Sequence, residues 1–373
     1  MNRRNFIFGG LGLLGTAAVS GTFMYTRRAE FGRVPSGLRL QRIMASPHYV
    51  DGKFQNLVPV EIMERREGSS RFKMMWDFLF GDKKGIVPDT AMVSKKTDLK
   101  ALDRGEDIVI WMGHSTFYLQ LGGYRILIDP VFSSYAAPLP FLNGAFSGSN
   151  VYCAEDIPKL DILAVSHDHW DHLDYPTVMA LKHKINYVVC PLGVGEYFEE
   201  WGFSPDRICE EDWNGKIVTG PDLEIHILSS QHFSGRFLTR NPTLWCGMAF
   251  VTPRRKVYYT GDGGYGEHFK EIGKTFGGFD LVLAEDGQYN EAWHAIHMYP
   301  EETARAAVDV GAKQVIPAHG GKFALARHLW QDPYRRLAAA SRGKSYDLVT
   351  PEIGETVRIG EPRESLSWWE DMT

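Results

Sequence analysis

Cysteine is scarce in this chain: four in 373 residues, Cys153, Cys190, Cys209 and Cys246, widely spaced and without a Cys-x-x-Cys pair. That excludes a disulfide framework and a thiolate zinc site, and it leaves the four as small buried hydrophobes. A basic surplus is missing too. The 41 Lys and Arg are outnumbered by 46 Asp and Glu, the formal net charge is -5, and no dense Lys/Arg stripe runs through the body. Phosphate-backbone binding relies on a concentrated basic footprint, so no nucleic-acid partner is expected. Low-complexity tracts and short internal repeats are absent. With 44% hydrophobic and 23% charged residues, the composition is that of a globular protein able to bury one large core or two modest ones.

One long apolar stretch stands at the start. Arg3-Arg4-Asn5-Phe6 precedes a mildly hydrophobic run from Phe6 to Tyr25, rich in Gly, Leu and Ala. Paired arginines, an aromatic two places later and such a run read as a twin-arginine-type signal within residues 1–28. Cleavage near Ala18-Val19-Ser20 and retention as a membrane anchor are both open, as is an ordinary N-terminal helix. The first two readings place the protein in a bacterial periplasm, or on the inner membrane facing it.

Residues 29–105 are mixed and punctuated by Pro and Gly, with a helix expected over Val60 to Phe80; they read as an extension packing on the core formed by residues 106–373. From Asp107 the pattern becomes β-rich. Ile108–Met112, Phe117–Leu121 and Arg125–Ile128 are short apolar runs separated by Gly-containing turns, the mark of hairpins. Further runs at Ile162–Val165, Tyr187–Val189, Leu223–Leu228, Met248–Val251, Lys256–Thr260, Leu281–Ala284 and Gln314–Pro317 alternate with helices expected at Tyr175–Lys184 and Pro300–Val310. Strands followed by helices, twice over, predict a layered α/β body with sheets inside and helices outside.

Directly after Ile162–Val165 comes Ser-His-Asp-His-Trp-Asp-His-Leu-Asp, which puts His167, His169, Asp171 and His172 within six positions. Imidazoles and carboxylates are the ligands of Zn²⁺ and related ions in open catalytic sites. Strand alternation places His167 and His169 on one side, and the following turn swings Asp171 and His172 toward a neighbouring position. Three more candidates follow β-like runs: His232, Asp262 and His319, the last two beside glycines that let the backbone turn tightly. Each alone is a weak signal, since a lone histidine after a strand is more often a hydrogen-bonded core residue. Together they converge as ligands from rigid elements must.

The pattern His-x-His-x-Asp-His, then a distant His, an Asp and a final His, resembles the metallo-β-lactamase superfamily. Gly113-His114-Ser115-Thr116, Ile128-Asp129-Pro130-Val131-Phe132, Gln231 to Arg236 and His297-Met298-Tyr299-Pro300-Glu301-Glu302 are similar to the branch of N-acylphosphatidylethanolamine-hydrolysing phospholipase D and its bacterial relatives. The resemblance implies a four-layer αββα sandwich, two mixed sheets between helices. It also implies two divalent metal ions, Zn²⁺ with Mn²⁺ or Fe²⁺ as alternatives. His167, His169 and His232 would hold the first, Asp171, His172 and His319 the second, with Asp262 bridging. One stretch departs from that branch: Glu285-Asp286-Gly287-Gln288-Tyr289 stands where the phospholipases are apolar. The acid pair is either a solvated strand end or part of the substrate mouth.

Two divalent ions and two ligand carboxylates leave a charge of about +1 once a bridging hydroxide is counted, which favours an anionic substrate or transition state. The reaction expected is hydrolysis of a phosphodiester in a small-molecule or lipid substrate such as an N-acyl phospholipid. Asp171 could orient the hydroxide. His297 is either the acid for the leaving oxygen or a structural residue before its helix. His114, His294 and Asp129 read as partners behind the ligands or as structural residues. Phe132 to Phe146 and Trp368-Trp369 are either an apolar rim or plain packing; Met74 to Phe80 reads as core. Lactone or amide hydrolysis, or metal binding without turnover, are the competing functions; a flavodiiron-type redox role lacks a flavin domain.

Overall fold

The computed structural model describes residues 24–63, 81, 84–139, 142–236, 239–363 and 365–372. The export or anchor segment lies outside these apart from residues 24–28, as does the expected helix over Val60 to Phe80 apart from 60–63, which are irregular. The Met74 to Phe80 cluster also lies outside them. No helix among the described residues is long and apolar enough to cross a membrane.

A helix at Gly37–Ala45 leads into a small hairpin of β1 (Tyr49–Val50) and β2 (Lys53–Phe54). Then β3 (Ile108–Trp111), β4 (Phe117–Leu121), β5 (Tyr124–Ile128), β6 (Leu160–Ala164), β7 (Ile185–Pro191) and β8 (Ile208–Glu211) line up in that order as one sheet. A second seven-stranded sheet contains β9 (Lys216–Gly220), β10 (Leu223–Leu228), β11 (Gly247–Val251), β12 (Lys256–Tyr259), β13 (Leu281–Glu285), β14 (Gln314–Ala318) and β15 (Asp347–Leu348). The chain then returns to the first sheet, where β16 (Thr356–Arg358) pairs antiparallel with β3.

Period-two alternation explains the layering. Val109 and Trp111 of β3 face the space between the sheets, where they meet Ile225 and Ile227 of β10 and Leu281 and Leu283 of β13. Ile108 and Ile110 face outward, beneath Val178 and Leu181 of the helix Tyr175–Leu181 and Phe198 of the helix Gly195–Glu200. Val282 and Ala284 face the opposite way, under Phe269 of the helix His268–Phe276 and Ala306 of the helix Pro300–Asp309. Both faces of each sheet are covered, which is why these strands read as near-continuous apolar runs. The result is the four-layer αββα sandwich with two mixed sheets.

Strand direction positions the chemistry. β5, β6 and β7 are parallel, as are β12, β13 and β14. Two antiparallel steps make β10 run with β12. The carboxyl ends of β6, β10, β12 and β14 therefore feed one edge of the sandwich, and each candidate ligand follows one of them. The two sheets are stitched there by backbone: His114 N–H donates to Gly320 O at 2.8 Å, and His319 N–H donates to His114 O at 3.1 Å.

Residues ahead of β3 are fastened to this body. Arg39 pairs with Glu196, Glu199 and Glu210 at 2.7–2.8 Å, and Phe54 is wholly buried in the inter-sheet core.

Candidate metal centre

All seven candidate ligands meet at that edge. The hub is Asp262. Its Oδ2 lies 3.1 Å from His172 Nε2 and 3.2 Å from His319 Nε2, and 3.8 Å from both His167 Nε2 and His232 Nε2. On one side His169 Nδ1 is 2.9 Å from His167 Nε2 and 3.2 Å from His232 Nε2. On the other, Asp171 Oδ2 is 3.4 Å from His172 Nε2 and 3.9 Å from His319 Nδ1. Two trios thus flank one carboxylate. Gly261, at φ +61°, allows the approach, because a Cβ there would meet Cys246 O at 2.3 Å.

The rear nitrogens decide what faces inward. His167 Nδ1 is 2.9 Å from Ser166 Oγ, whose own hydrogen goes to Asp129 Oδ2. His172 Nδ1 donates to Asp129 Oδ2 at 2.7 Å, and His232 Nδ1 donates to Ile296 O at 3.1 Å. With Nδ1–H committed, each Nε2 turns a lone pair toward the centre. Three buried atoms there, His172 Nε2, His319 Nε2 and Asp262 Oδ1, have no hydrogen-bond partner. Converging lone pairs and unsatisfied carboxylate oxygen, all buried, are the donor set a divalent cation completes.

Electrostatics agree. Burial holds His167, His232 and His319 well below the usual imidazole range, which favours the neutral, ligating form. At His172 burial is outweighed by Asp262 and Asp171, which hold its pKa well above that range. The two carboxylates favour positive charge at this point, whether a proton or an ion carries it.

Behind the ligands, His114 Nε2 sits 2.8 Å from Asp171 Oδ2. Asp129 collects Ser166 N–H at 2.8 Å, Tyr259 OH at 2.6 Å and His172, so it anchors the metal loop. His294 stays outside the cluster, stacked on Tyr299. His297 faces His232 and His319 at ring separations of 5.0 and 5.2 Å, and its Nδ1 lies 3.1 Å from Glu285 Oε1.

That contact resolves the acid pair differently from a solvated strand end. Glu285 and Asp286 are each 1% exposed. Glu285 ends β13 inside the sandwich, accepts the Met298 N–H at 3.0 Å and orients His297. Burial raises its pKa to about 6, while the same carboxylate, working against burial, raises that of His297.

Other contributors carry no local sequence signal. Asn56, from the segment after β2, brackets the His232 backbone, accepting its N–H at 3.0 Å and donating to its carbonyl at 2.9 Å. Asp168 points away from its neighbours His167 and His169 and accepts from Gly235 N–H at 2.7 Å and Tyr197 OH at 3.0 Å. It ties the metal loop to the His232 loop. Strand alternation foretells its direction but not its partners.

A cavity of about 210 Å³ opens over His169, Asp171, Asp262, His297 and His319. Its apolar wall comes from Ile62, Met63, Phe233, Trp293, Ile296 and Leu325. Of the residues read as either rim or packing, Phe146, Trp368 and Trp369 are buried in the inter-sheet core, and Phe132 packs on the outer face of the first sheet. Packing, not substrate contact, is their part.

The family model for the beta-lactamase superfamily domain matches residues 124–320, more than half the chain. The chain is 38% identical over 329 residues to an uncharacterised protein of Mycobacterium tuberculosis, spanning 87% of each. It is 30% identical over 263 residues to the N-acyl-phosphatidylethanolamine-hydrolyzing phospholipase D 1 of Caenorhabditis elegans, across 66% of this chain and 74% of that one. Among solved structures, the isothiocyanate hydrolase from Delia radicum gut bacteria shares the fold with a TM-score of 0.53 at 19% identity, over 68% of this chain and 98% of that one. The chain belongs to the beta-lactamase superfamily and is a metal-dependent hydrolase of the metallo-β-lactamase fold.

Proposed function

We propose that the protein is a dinuclear phosphodiesterase of phospholipase D type, acting on N-acyl phospholipids or related envelope lipids. The observation that carries this reading is the position of Asp262 Oδ2 between two three-residue groups. His167, His169 and His232 would hold one ion, Asp171, His172 and His319 the other, with Asp262 shared. Nitrogen and oxygen donors of this kind suit Zn²⁺. Two such ions, when bound, would supply Lewis acidity toward the phosphoryl group and would lower the pKa of water to roughly 7.

The chain's own groups do the rest. His297, held at Nδ1 by Glu285, turns Nε2 to the cavity and donates a proton to the leaving oxygen. Asp171, held by His114, orients the attacking water. The apolar wall takes the acyl chains and keeps bulk water from the reacting centre. The similarity to the nematode phospholipase supports lipid as the substrate class.

The test is product analysis on metal-loaded protein with N-acylphosphatidylethanolamine, bis(p-nitrophenyl) phosphate, a lactone and a β-lactam. Release of phosphatidic acid and N-acylethanolamine is expected. Turnover of the lactone or β-lactam with both phosphodiesters untouched would overturn the reading.

We also propose that residues 1–28 direct export, and that residues 29–105 form an extension on the hydrolase domain 106–373. Periplasmic recovery of the wild-type protein, abolished by replacing Arg3 and Arg4 with Lys, checks the first. Wholly cytoplasmic wild-type protein rejects it.

A further inference from the structure

The cavity wall contains one guanidinium or ammonium group, Arg240, among the described residues. Three other arginines of the body are committed. Arg236 is buried and donates to Asp168 O at 2.6 Å, Arg39 pairs with three glutamates, and Arg336 pairs with Glu301. Arg240 is exposed, and no acid pairs with it among the described residues. It rests on an aromatic ring: its Cζ lies 5.0 Å from the centroid of Phe233. Phe233 in turn packs on His169 at 4.4 Å and His232 at 4.9 Å.

This support has a consequence. A guanidinium held over a ring face is favoured there by the ring's charge distribution, and its N–H donors stay available to a ligand. Those donors border a cavity whose remaining wall is largely apolar, through Ile62, Met63, Trp293 and Leu325. A ligand that satisfies both surfaces is an amphiphile whose oxyanion accepts a forked pair of hydrogen bonds while its hydrocarbon lies along the wall.

We propose that Arg240, seated on Phe233, is an oxyanion-binding subsite distinct from the metal ligands, and that it selects amphiphilic substrates bearing a phosphate or carboxylate group. The proposal rests on the reading of this cavity as the hydrolase's substrate site, but not on which bond is cleaved.

Calorimetric binding to the metal-loaded full chain tests it, using decyl phosphate, decanoate and the neutral decyl maltoside below their micelle concentrations. Arg240→Gln is expected to weaken decyl phosphate by roughly tenfold or more, the fold-change of a lost charge-assisted hydrogen bond. Arg240→Lys should fall between, decyl maltoside should bind both proteins alike, and the metal content should be the same. The ratio of decyl phosphate to decanoate tells which oxyanion is preferred. Equal decyl phosphate affinity in the wild type and Arg240→Gln, equal losses for the neutral probe, or no binding of either anion by the wild type would each overturn the proposal. Because binding needs no turnover, hydrolysis of a lactone in place of a phosphodiester would sink the proposed reaction and leave this result standing.

Discussion

Glu285 Oε1 lies 3.1 Å from His297 Nδ1, so a carboxylate at the end of a core strand aims an imidazole at the metal centre. The arrangement repeats the logic behind the ligands, where Asp129 holds His172 by its rear nitrogen. In both cases a buried acid commits Nδ1–H, freeing Nε2 of His297 for the cavity and Nε2 of His172 for the cluster around Asp262. Of the acid pair, Glu285 thus has a structural explanation, as part of the His297 unit; nothing in the structure explains Asp286, whose two carboxylate oxygens are buried without a hydrogen-bond partner among the described residues.

His297 is raised above the usual imidazole range by Glu285, against the effect of burial. A donor of this kind works while protonated, so kcat should fall as pH rises through its pKa. Glu285→Gln removes the charge that raises that pKa, and the high-pH limb of kcat should move to lower pH. The loss at neutral pH should be about 10- to 100-fold, with KM changing less. His297→Gln should abolish the limb. An unshifted profile in Glu285→Gln would remove His297 from the acid role.

Metal stoichiometry separates the two trios. His169→Ala and His319→Ala should each reduce bound metal from about two equivalents to about one, whereas Asp262→Asn should weaken both. Elemental analysis after dialysis reads this directly. If His169→Ala and His319→Ala each emptied the protein completely, the division into two trios would be wrong.

Much of this candidate centre, as a convergence of side chains, was legible in the sequence, for a physical reason. Ligand side chains must be of few types and must sit at strand ends, so His167 to His172, His232, Asp262 and His319 stand out against apolar runs. The strands stood out as well, being buried on both faces, and Phe117–Leu121 and Leu223–Leu228 fall where the pattern placed them. Residues that act through distant partners gave no such signal. Asn56 reaches His232 across 176 positions, and β16 reaches β3 from near the end of the chain. Trp368 and Trp369 read as an apolar rim or packing; only their stacking on Trp330 and Tyr334 makes them core.

Asp129 accepts hydrogen bonds from Ser166, His172 and Tyr259 while fully buried. Asp129→Asn puts an amide N–H₂ against groups that all need an acceptor, and it releases the His172 ring. Metal affinity should drop by about 10- to 100-fold, measured by competition with a chromophoric chelator. Unchanged affinity would mean that the loop is held without Asp129.

Lys322 offers a test of stability independent of catalysis. It is 1% exposed, donates to Val131 O at 2.6 Å and lies near the rings of Phe132 and Phe323. Burial, partly opposed by Asp174, pushes its pKa down from 10.5 to about 7. The unfolded chain then binds more protons than the folded one between those two values, so this group makes stability rise with pH across that window and costs a constant amount below it. Each unit of depression is worth about 1.4 kcal/mol, which bounds the effect at about 5 kcal/mol. Lys322→Met removes the titration and leaves Val131 O without its donor, a loss of about 1–3 kcal/mol that does not vary with pH. The Tm of Lys322→Met relative to the wild type should therefore be most favourable at pH 6 and decline steadily toward pH 10. A difference that stays flat over that range would show that Lys322 keeps an ordinary pKa in the folded protein.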